Sequence, residues 1–278
     1  MAAYIDVQNL SYSYPDGTLA LRKVNLRVNN GDFLALIGQN GSGKTTLSKC
    51  LNGILKPTDG TVLVDGFDTS TASVAEMVRR VGYVFQNPDH QIFNSNVYDE
   101  IAYGPRNIGL REAEVKDRVI EATRVVGLKD EHLSVHPFFL PKGLRQRVAI
   151  ASILALRPKV IIVDEPTTGQ DMYQSFEIMN FLTELHEKNG HIIIIVTHDM
   201  PIVARYAKRV VVMAMGQIIM DGPTAEVFSH PEELSKSFVK PPQITRLGQS
   251  LLTYGFPPNI LRVEEMAAVV KEKMVFTP

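Results

Sequence analysis

The chain predicts an α/β fold with a parallel sheet on three observations. An apolar run at residues 33–37 empties into a glycine-rich turn ending in lysine; two further buried-strand runs, 160–163 and 192–196, flank a helical stretch; and short strands broken by turn signals fill the first seventy residues. Taken in order, strands are expected at 5–10, 24–28, 33–37 and 61–64. The breaks between them are Pro15-Asp16-Gly17, Asn29-Asn30-Gly31 and Pro57-Thr58-Asp59-Gly60. Only the helix expected from Gly43 onward interrupts this strand-rich start. From residue 97 to about 157 the pattern turns helical. Residues 111–126 are amphipathic and 146–156 apolar nearly all round, ending where Pro158 disfavours helix. This reads as an inserted helical subdomain at about 88–157. A helix from about 173 to 188 then separates the last two buried strands. After Gly222-Pro223 the chain is less regular, and Lys240-Pro241-Pro242 opens a tail with helices expected at 245–252 and 263–273, divided by Pro257-Pro258. The expected division is one main domain, 1–225, and a helical extension, 226–278.

Composition narrows the function classes. With 278 residues, 45% hydrophobic and 21% charged, the chain can bury a full core. Its 29 lysines and arginines nearly balance 30 aspartates and glutamates, and no basic run stands out, so a nucleic-acid partner is not expected. The amino terminus alternates like a strand and lacks the basic start and apolar block of a secretory signal. Apolar stretches near 192–196 and 210–215 are far too short to span a bilayer, so any membrane role must come through a partner. The one cysteine, Cys50, excludes an internal disulfide and reads as a small core residue, which fits a reducing cytosol.

The turn Gly38, Gln39, Asn40, Gly41, Ser42, Gly43, Lys44, Thr45 is a phosphate cradle. Glycines let the backbone wrap close with N–H groups inward, Lys44 reaches the β/γ-phosphates, and the Thr45 hydroxyl suits Mg²⁺. The following helix aims its positive end at the same anions. Three other polar positions sit just past the carboxyl ends of apolar strands: Gln86, the pair Asp164-Glu165, and His198. In open parallel sheets ligands bind at that edge. Asp164 is suited to hold Mg²⁺ through its hydration shell, and Glu165 to take a proton from water attacking a γ-phosphate.

Together these residues resemble the ATP-binding cassette superfamily over roughly residues 4–225. Gly38–Thr45 is similar to Walker A, Gln86 to the Q-loop glutamine, residues 160–165 to Walker B with its catalytic glutamate, Thr168-Gly169-Gln170-Asp171 to the D-loop, and His198 to the switch histidine. The resemblance implies ATP and Mg²⁺. It implies Glu165, His198 and Gln86 as catalytic residues, Thr45, Gln86 and Asp164 around the metal, and ATP contacts extending to Thr46. Tyr14 looks like the aromatic that stacks on adenine, with Tyr12 the alternative. The fold implied is a P-loop NTPase with a RecA-like core, a small antiparallel β subdomain and a helical subdomain.

Residues 83–93, 103–110 and 241–245 resemble, more narrowly, the ATPase subunits of energy-coupling factor importers, which drive uptake of vitamins or Co²⁺/Ni²⁺. The implied partners are a second ATPase subunit, an integral-membrane coupling subunit and a substrate-binding membrane protein, with this chain peripheral at the cytoplasmic face. Residues 86–93 would line the docking groove, or else form an ordinary loop. The tail resembles an extension that suggests a dimer contact, against a helical pair packed on its own domain. The pattern breaks at the signature, usually LSGGQ, which acts on the partner's ATP. Here stand Leu140, Pro141, Lys142, Gly143 and Leu144. Proline in place of serine removes a hydroxyl and a backbone donor together, and by analogy with oxyanion sites one lost donor costs about 2.7–4 kcal/mol. A heterodimer with one strong and one impaired site is therefore expected over a homodimer. A nucleotide-gated dimerisation element with little hydrolysis and a soluble non-transport cassette ATPase are the alternatives.

Overall fold

The computed structural model describes residues 3–275. Met1 and Ala2 of the expected strand-like start, and the last three residues of the expected extension, lie outside the described residues. The chain opens with β1 (Ile5–Ser13), β2 (Leu19–Val28) and β3 (Phe33–Gly38), followed by α1 (Lys44–Leu51), β4 (Asp59–Val64), β5 (Phe67–Asp68), α2 (Val74–Val78) and β6 (Val81–Val84). Three helices, α3 (Val97–Asn107), α4 (Glu112–Val125) and α5 (Lys142–Leu154), precede β7 (Val160–Asp164). Then come α6 (Met172–Asn189), β8 (Ile192–Val196), α7 (Met200–Tyr206), β9 (Arg209–Ala214) and β10 (Gln217–Pro223). The chain closes with α8 (Thr224–Phe228), α9 (Pro231–Ser235), α10 (Gln243–Ser250) and α11 (Val263–Val275).

Two sheets divide the strands. One is antiparallel with order β2-β1-β4-β5; the other has order β10-β9-β3-β8-β7-β6 and is parallel except for β10. The apolar runs at β3 and β8 are continuous because both faces of the parallel sheet are covered. Phe33, Ala35 and Ile37, with Ile193 and Ile195, pack among the helices, whereas Leu34 and Leu36, with Ile192 and Ile194, face the antiparallel sheet and α1. Register then sets the edge that matters: Leu36 lies opposite Val196, Val196 opposite Asp164, and Val163 opposite Val84. Four parallel strand ends, those of β3, β8, β7 and β6, are thereby level.

Several boundaries differ from expectation for local reasons. Helix α1 begins at Lys44, not Gly43, because Gly43 takes φ 104° and caps the helix from outside. Helix α5 begins at Lys142, four residues earlier than its apolar stretch. Pro141 is its N-cap at φ −53°, ψ 151°, where a missing N–H costs no helical bond, and its carbonyl accepts from the N–H groups of Leu144 and Arg145. Half-exposed Arg145 and Arg147 keep α5 from being apolar all round. Strand β2 starts at Leu19 because the whole hairpin pairs with β1, ending at Ser13↔Leu19. Helices α2, α7, α8 and α9 run five to seven residues, too short to print a 3.6 period in the sequence. Helix α10 starts directly after Pro242, two residues before the expected 245.

The helical segment is keyed to the sheet at Gly82 in β6. A Cβ there would lie 2.1 Å from Ile153 Cγ2 and 3.1 Å from Pro158 Cγ. Ile153 is β-branched and stiff in α5, so it cannot swing aside. Gly82→Ala is expected to cost about 1–3 kcal/mol, read as a lower urea midpoint with unchanged slope.

Candidate active site

The level strand ends open onto a cleft of about 680 Å³. Tyr14, Asn40, Gly41, Gly43, Lys44, Thr45, Thr46, Gln86, Asp164, Glu165 and His198 all line it. Gly38, Gln39 and Ser42 belong to the same loop but are not among the lining residues. A Cβ on Gly38 would come 2.3 Å from the Met213 carbonyl oxygen, and one on Gly43 2.9 Å from that of Ala20, so glycine is required for the loop to lie against β9 and β2. A Cβ on Gly41 would meet no atom within 4 Å, which puts that glycine on the open side.

Lys44 is almost fully buried, and its ammonium donates to the carbonyl oxygens of Gly38 and Gln39, each at 2.9 Å. Burial lowers its pKa, while the nearby charges of Glu165 and Asp164 oppose that shift. Ser42 Oγ is buried without a hydrogen-bond partner. An orphaned hydroxyl in a glycine cradle, beside an ammonium held only by backbone carbonyls, fits an incoming polyphosphate. Thr45 Oγ1 donates to Asp164 Oδ2 at 3.5 Å, and Tyr83 donates to the same oxygen at 2.8 Å. Among the described residues no group of three or more His, Cys, Asp or Glu is placed to hold a metal. One carboxylate with a hydroxyl and an exposed glutamine across the cleft is instead a hard-oxygen set suited to Mg²⁺ that keeps several waters.

Glu165 stands at φ 50°, a left-handed conformation that a non-glycine residue adopts at a cost. Its side chain is held from three directions. Oε2 accepts from Thr168 Oγ1 at 3.2 Å and Thr197 Oγ1 at 3.3 Å, and Oε1 lies 2.8 Å from His198 Nδ1. With the carboxylate ionised, that nitrogen carries the proton. His198 is otherwise exposed toward the cleft.

Tyr14 shares a hydrogen bond of 2.9 Å with Thr46 Oγ1, which presents its ring at the cleft's edge. Tyr12 packs edge-on against Tyr14 at 5.0 Å between centroids and is not among the lining residues. Leu140–Leu144 and Asp171 stand apart from this chain's own cleft. Leu140 is buried, Pro141 through Leu144 form the cap and first turn of α5, and Asp171 caps α6 by accepting from the Gln174 N–H at 2.8 Å. Sequence reasoning missed Thr197 and did not assign Tyr83 or Thr168 their part in orienting the two carboxylates; it also missed Arg22, Leu19 and Met215, which line the outer cleft. Tyr83 carried a signal, a polar tip in an otherwise apolar strand. The hairpin residues carried none.

Burial raises the pKa of Asp164, the Tyr83 hydrogen bond opposing it. A carboxyl with a folded value above its unfolded one favours the fold when protonated; that advantage is present at low pH and lost as pH rises through the raised value. Asp164→Asn, which mimics the protonated form, is expected to raise the melting temperature of the nucleotide-free protein at neutral pH by on the order of 2 °C. The variant should also lack the wild type's gain in stability on acidification through that window, as measured by calorimetry.

Comparison with known proteins agrees with this geometry. Residues 21–168 match the ABC transporter family. A putative ABC transporter ATP-binding protein of Caldanaerobacter subterraneus subsp. tengcongensis is 49% identical over 267 residues, covering 96% of this chain but 46% of that protein, so the chain spans about half the length of this relative. An energy-coupling factor transporter ATP-binding protein, EcfA2, of the same organism is 43% identical over 269 residues and is covered to 94%, as is this chain. The structure of cbiO1 from Clostridium perfringens, described as part of the ABC transporter complex cbiONQ, superposes with a TM-score of 0.76 at 37% identity, over 90% of this chain and 99% of that one. A dimeric ATP-binding cassette in a post-hydrolysis state with ADP and Pi gives 0.70 at 27% identity, over 79% and 98%. With the Walker-type cradle, the level strand ends and these relatives together, the chain belongs to the ABC transporter family, as an ABC ATPase cassette with the P-loop NTPase fold.

Proposed function

We propose that this chain binds and hydrolyses ATP as a subunit of an energy-coupling factor type importer, powering uptake of a vitamin or a Co or Ni ion. The observation that carries the reading is the convergence of Lys44, Thr45, Asp164, Glu165 and His198 on one cleft. Lys44 exchanges its two backbone carbonyls for the β/γ-phosphates, and the N–H groups opening α1 complete the cradle. Thr45, Asp164 and Gln86 would hold Mg²⁺, which when bound would supply positive charge against the transferring phosphoryl group. Glu165 takes the proton of the attacking water, with His198 and the two threonines fixing its carboxylate. Tyr14 stacks on the base.

Among the described residues no helix is long and apolar enough to cross a membrane. We assign transport to partners: an integral-membrane coupling subunit and a substrate-binding membrane protein, with this chain peripheral at the cytoplasmic face. The similarity to energy-coupling factor ATP-binding proteins supports this assignment. Residues 1–225 form the nucleotide-binding domain and 226–278 an extension used in dimer contact. Deletion after Val239 should weaken ATP-dependent dimerisation; unchanged association would dismiss that contact.

Pro141 favours an asymmetric pair, in which a different ATPase subunit supplies the intact signature for this chain's cleft. It is also the observation behind the second reading, a nucleotide-gated dimerisation element with little hydrolysis. Full-length protein mixed with a copurified ATPase partner is expected to turn over Mg-ATP much faster than the chain alone. Equal full rates in the homodimer refute the asymmetry, and single-turnover hydrolysis that stays absent with the partner present refutes the motor.

A further inference from the structure

The first turn of α5 and the turn after β7 are distant in sequence and meet through one side chain. Lys142 Nζ donates to the carbonyl oxygens of Thr168 at 3.3 Å and Gly169 at 3.4 Å. Gly169 leaves room for this: its φ is +72°, and a Cβ there would lie 2.6 Å from Lys142 Nζ. Thr168 in turn faces the site, its hydroxyl donating to Glu165 Oε2 at 3.2 Å. Within the turn itself the backbone bonds are Thr168 N–H to Glu165 O at 3.2 Å and Gln170 N–H to Thr167 O at 3.1 Å, and Gln170 Oε1 is buried with no partner.

We propose that Lys142 is a positioning residue, tying the start of α5 to the Thr168–Gly169 carbonyls and so fixing the Thr168 hydroxyl against Glu165. The proposal rests on the reading of Glu165 as the general base. Ammonium-to-carbonyl bonds are charge-assisted, so even at 3.3 and 3.4 Å the two Lys142 bonds add to the turn's neutral ones. The positive end of α5 repels its own ammonium, which draws Lys142 away from the helix toward these acceptors. Lys142 belongs to the segment resembling the signature, whose task lies at the partner's nucleotide. A shift of α5 as that segment engages the partner is thereby transmitted to this chain's own base, over a path of Lys142, the Thr168 carbonyl, the Thr168 hydroxyl and Glu165.

The test compares Lys142→Met, Lys142→Arg, Thr168→Val and the double variant Lys142→Met/Thr168→Val in the full-length chain. Two readouts are taken: Mg-ATP turnover at this chain's own site, with the ATPase partner's Walker lysine substituted so that the opposite site is silent, and amide hydrogen exchange across residues 167–171 in the chain alone. Lys142→Met should lower kcat about tenfold with KM for ATP unchanged, and speed exchange in that turn while leaving α1 as it was. Lys142→Arg should restore both readouts, and the double variant should lose no more turnover than Thr168→Val does. Wild-type kcat or wild-type exchange in Lys142→Met overturns the proposal, as does a fully additive double variant. If the wild-type protein binds no Mg-ATP, the functional reading fails by itself, and the exchange arm still decides whether Lys142 holds the turn.

Discussion

Glu165→Gln is expected to lower single-turnover hydrolysis by about 10²–10⁴-fold while Mg-ATP binding persists. The amide keeps the size and the acceptor oxygen that Thr168 and Thr197 address, and its NH2 donates to His198 Nδ1 once the ring takes its other tautomer, so the side chain stays in place. What it loses is the ability to take a proton from water. Backbone strain at φ 50° is the same for both residues, so the variant folds as the wild type does. Nucleotide affinity should hold, since the cradle's Lys44, Ser42 and helix N–H groups are untouched. Hydrolysis of radiolabelled ATP and equilibrium binding, measured on the same preparation, check the two halves. A variant that hydrolyses at the wild-type rate removes Glu165 from the chemistry.

Pro141→Ser should raise hydrolysis at the opposite nucleotide site by about 10²–10³-fold, the size carried by one donor to a developing negative charge. The structure adds a reason beyond the missing hydroxyl. Pro141 occupies the N-cap of α5, where no side chain accepts from the first turn. Serine there both supplies its hydroxyl and restores a backbone N–H, and its capping stabilises the helix by roughly 1 kcal/mol. The clean measurement pairs the variant with a partner of known sequence and follows turnover at each site separately, with the other disabled by substitution of its own Walker lysine. No change in the opposite site, together with full wild-type homodimer activity, defeats the asymmetric reading.

Much of the site was legible because its chemistry is local in sequence. The cradle is eight consecutive residues, and Asp164, Glu165 and His198 each follow an apolar strand whose end can be read from composition. The long-range pairings that hold those groups were not legible, even where, as at Tyr83, the residue type stood out. Tyr83 reaches Asp164 across 81 residues of chain, and Thr197 reaches Glu165 across 32. Neither spacing has a period, and a threonine after a strand looks like any turn residue. The start of α5 lies ahead of the apolar stretch 146–156 because its first turn carries Lys142, Gly143 and Arg145, and only the neighbouring geometry shows that Pro141 caps it.

By itself the sequence determined the α/β class, the buried parallel strands and the phosphate cradle, since hydrophobic period, glycine freedom and lysine charge act over a few neighbouring residues. The tertiary structure alone decided that the strand order β3-β8-β7-β6 lays four strand ends level, bringing Lys44, Asp164, Glu165 and His198 to one cleft. It also decided that Lys142 touches the turn behind Glu165. Both depend on register and helix packing between segments more than twenty residues apart, where the free energy lies in pairing and burial and no single stretch of chain records it.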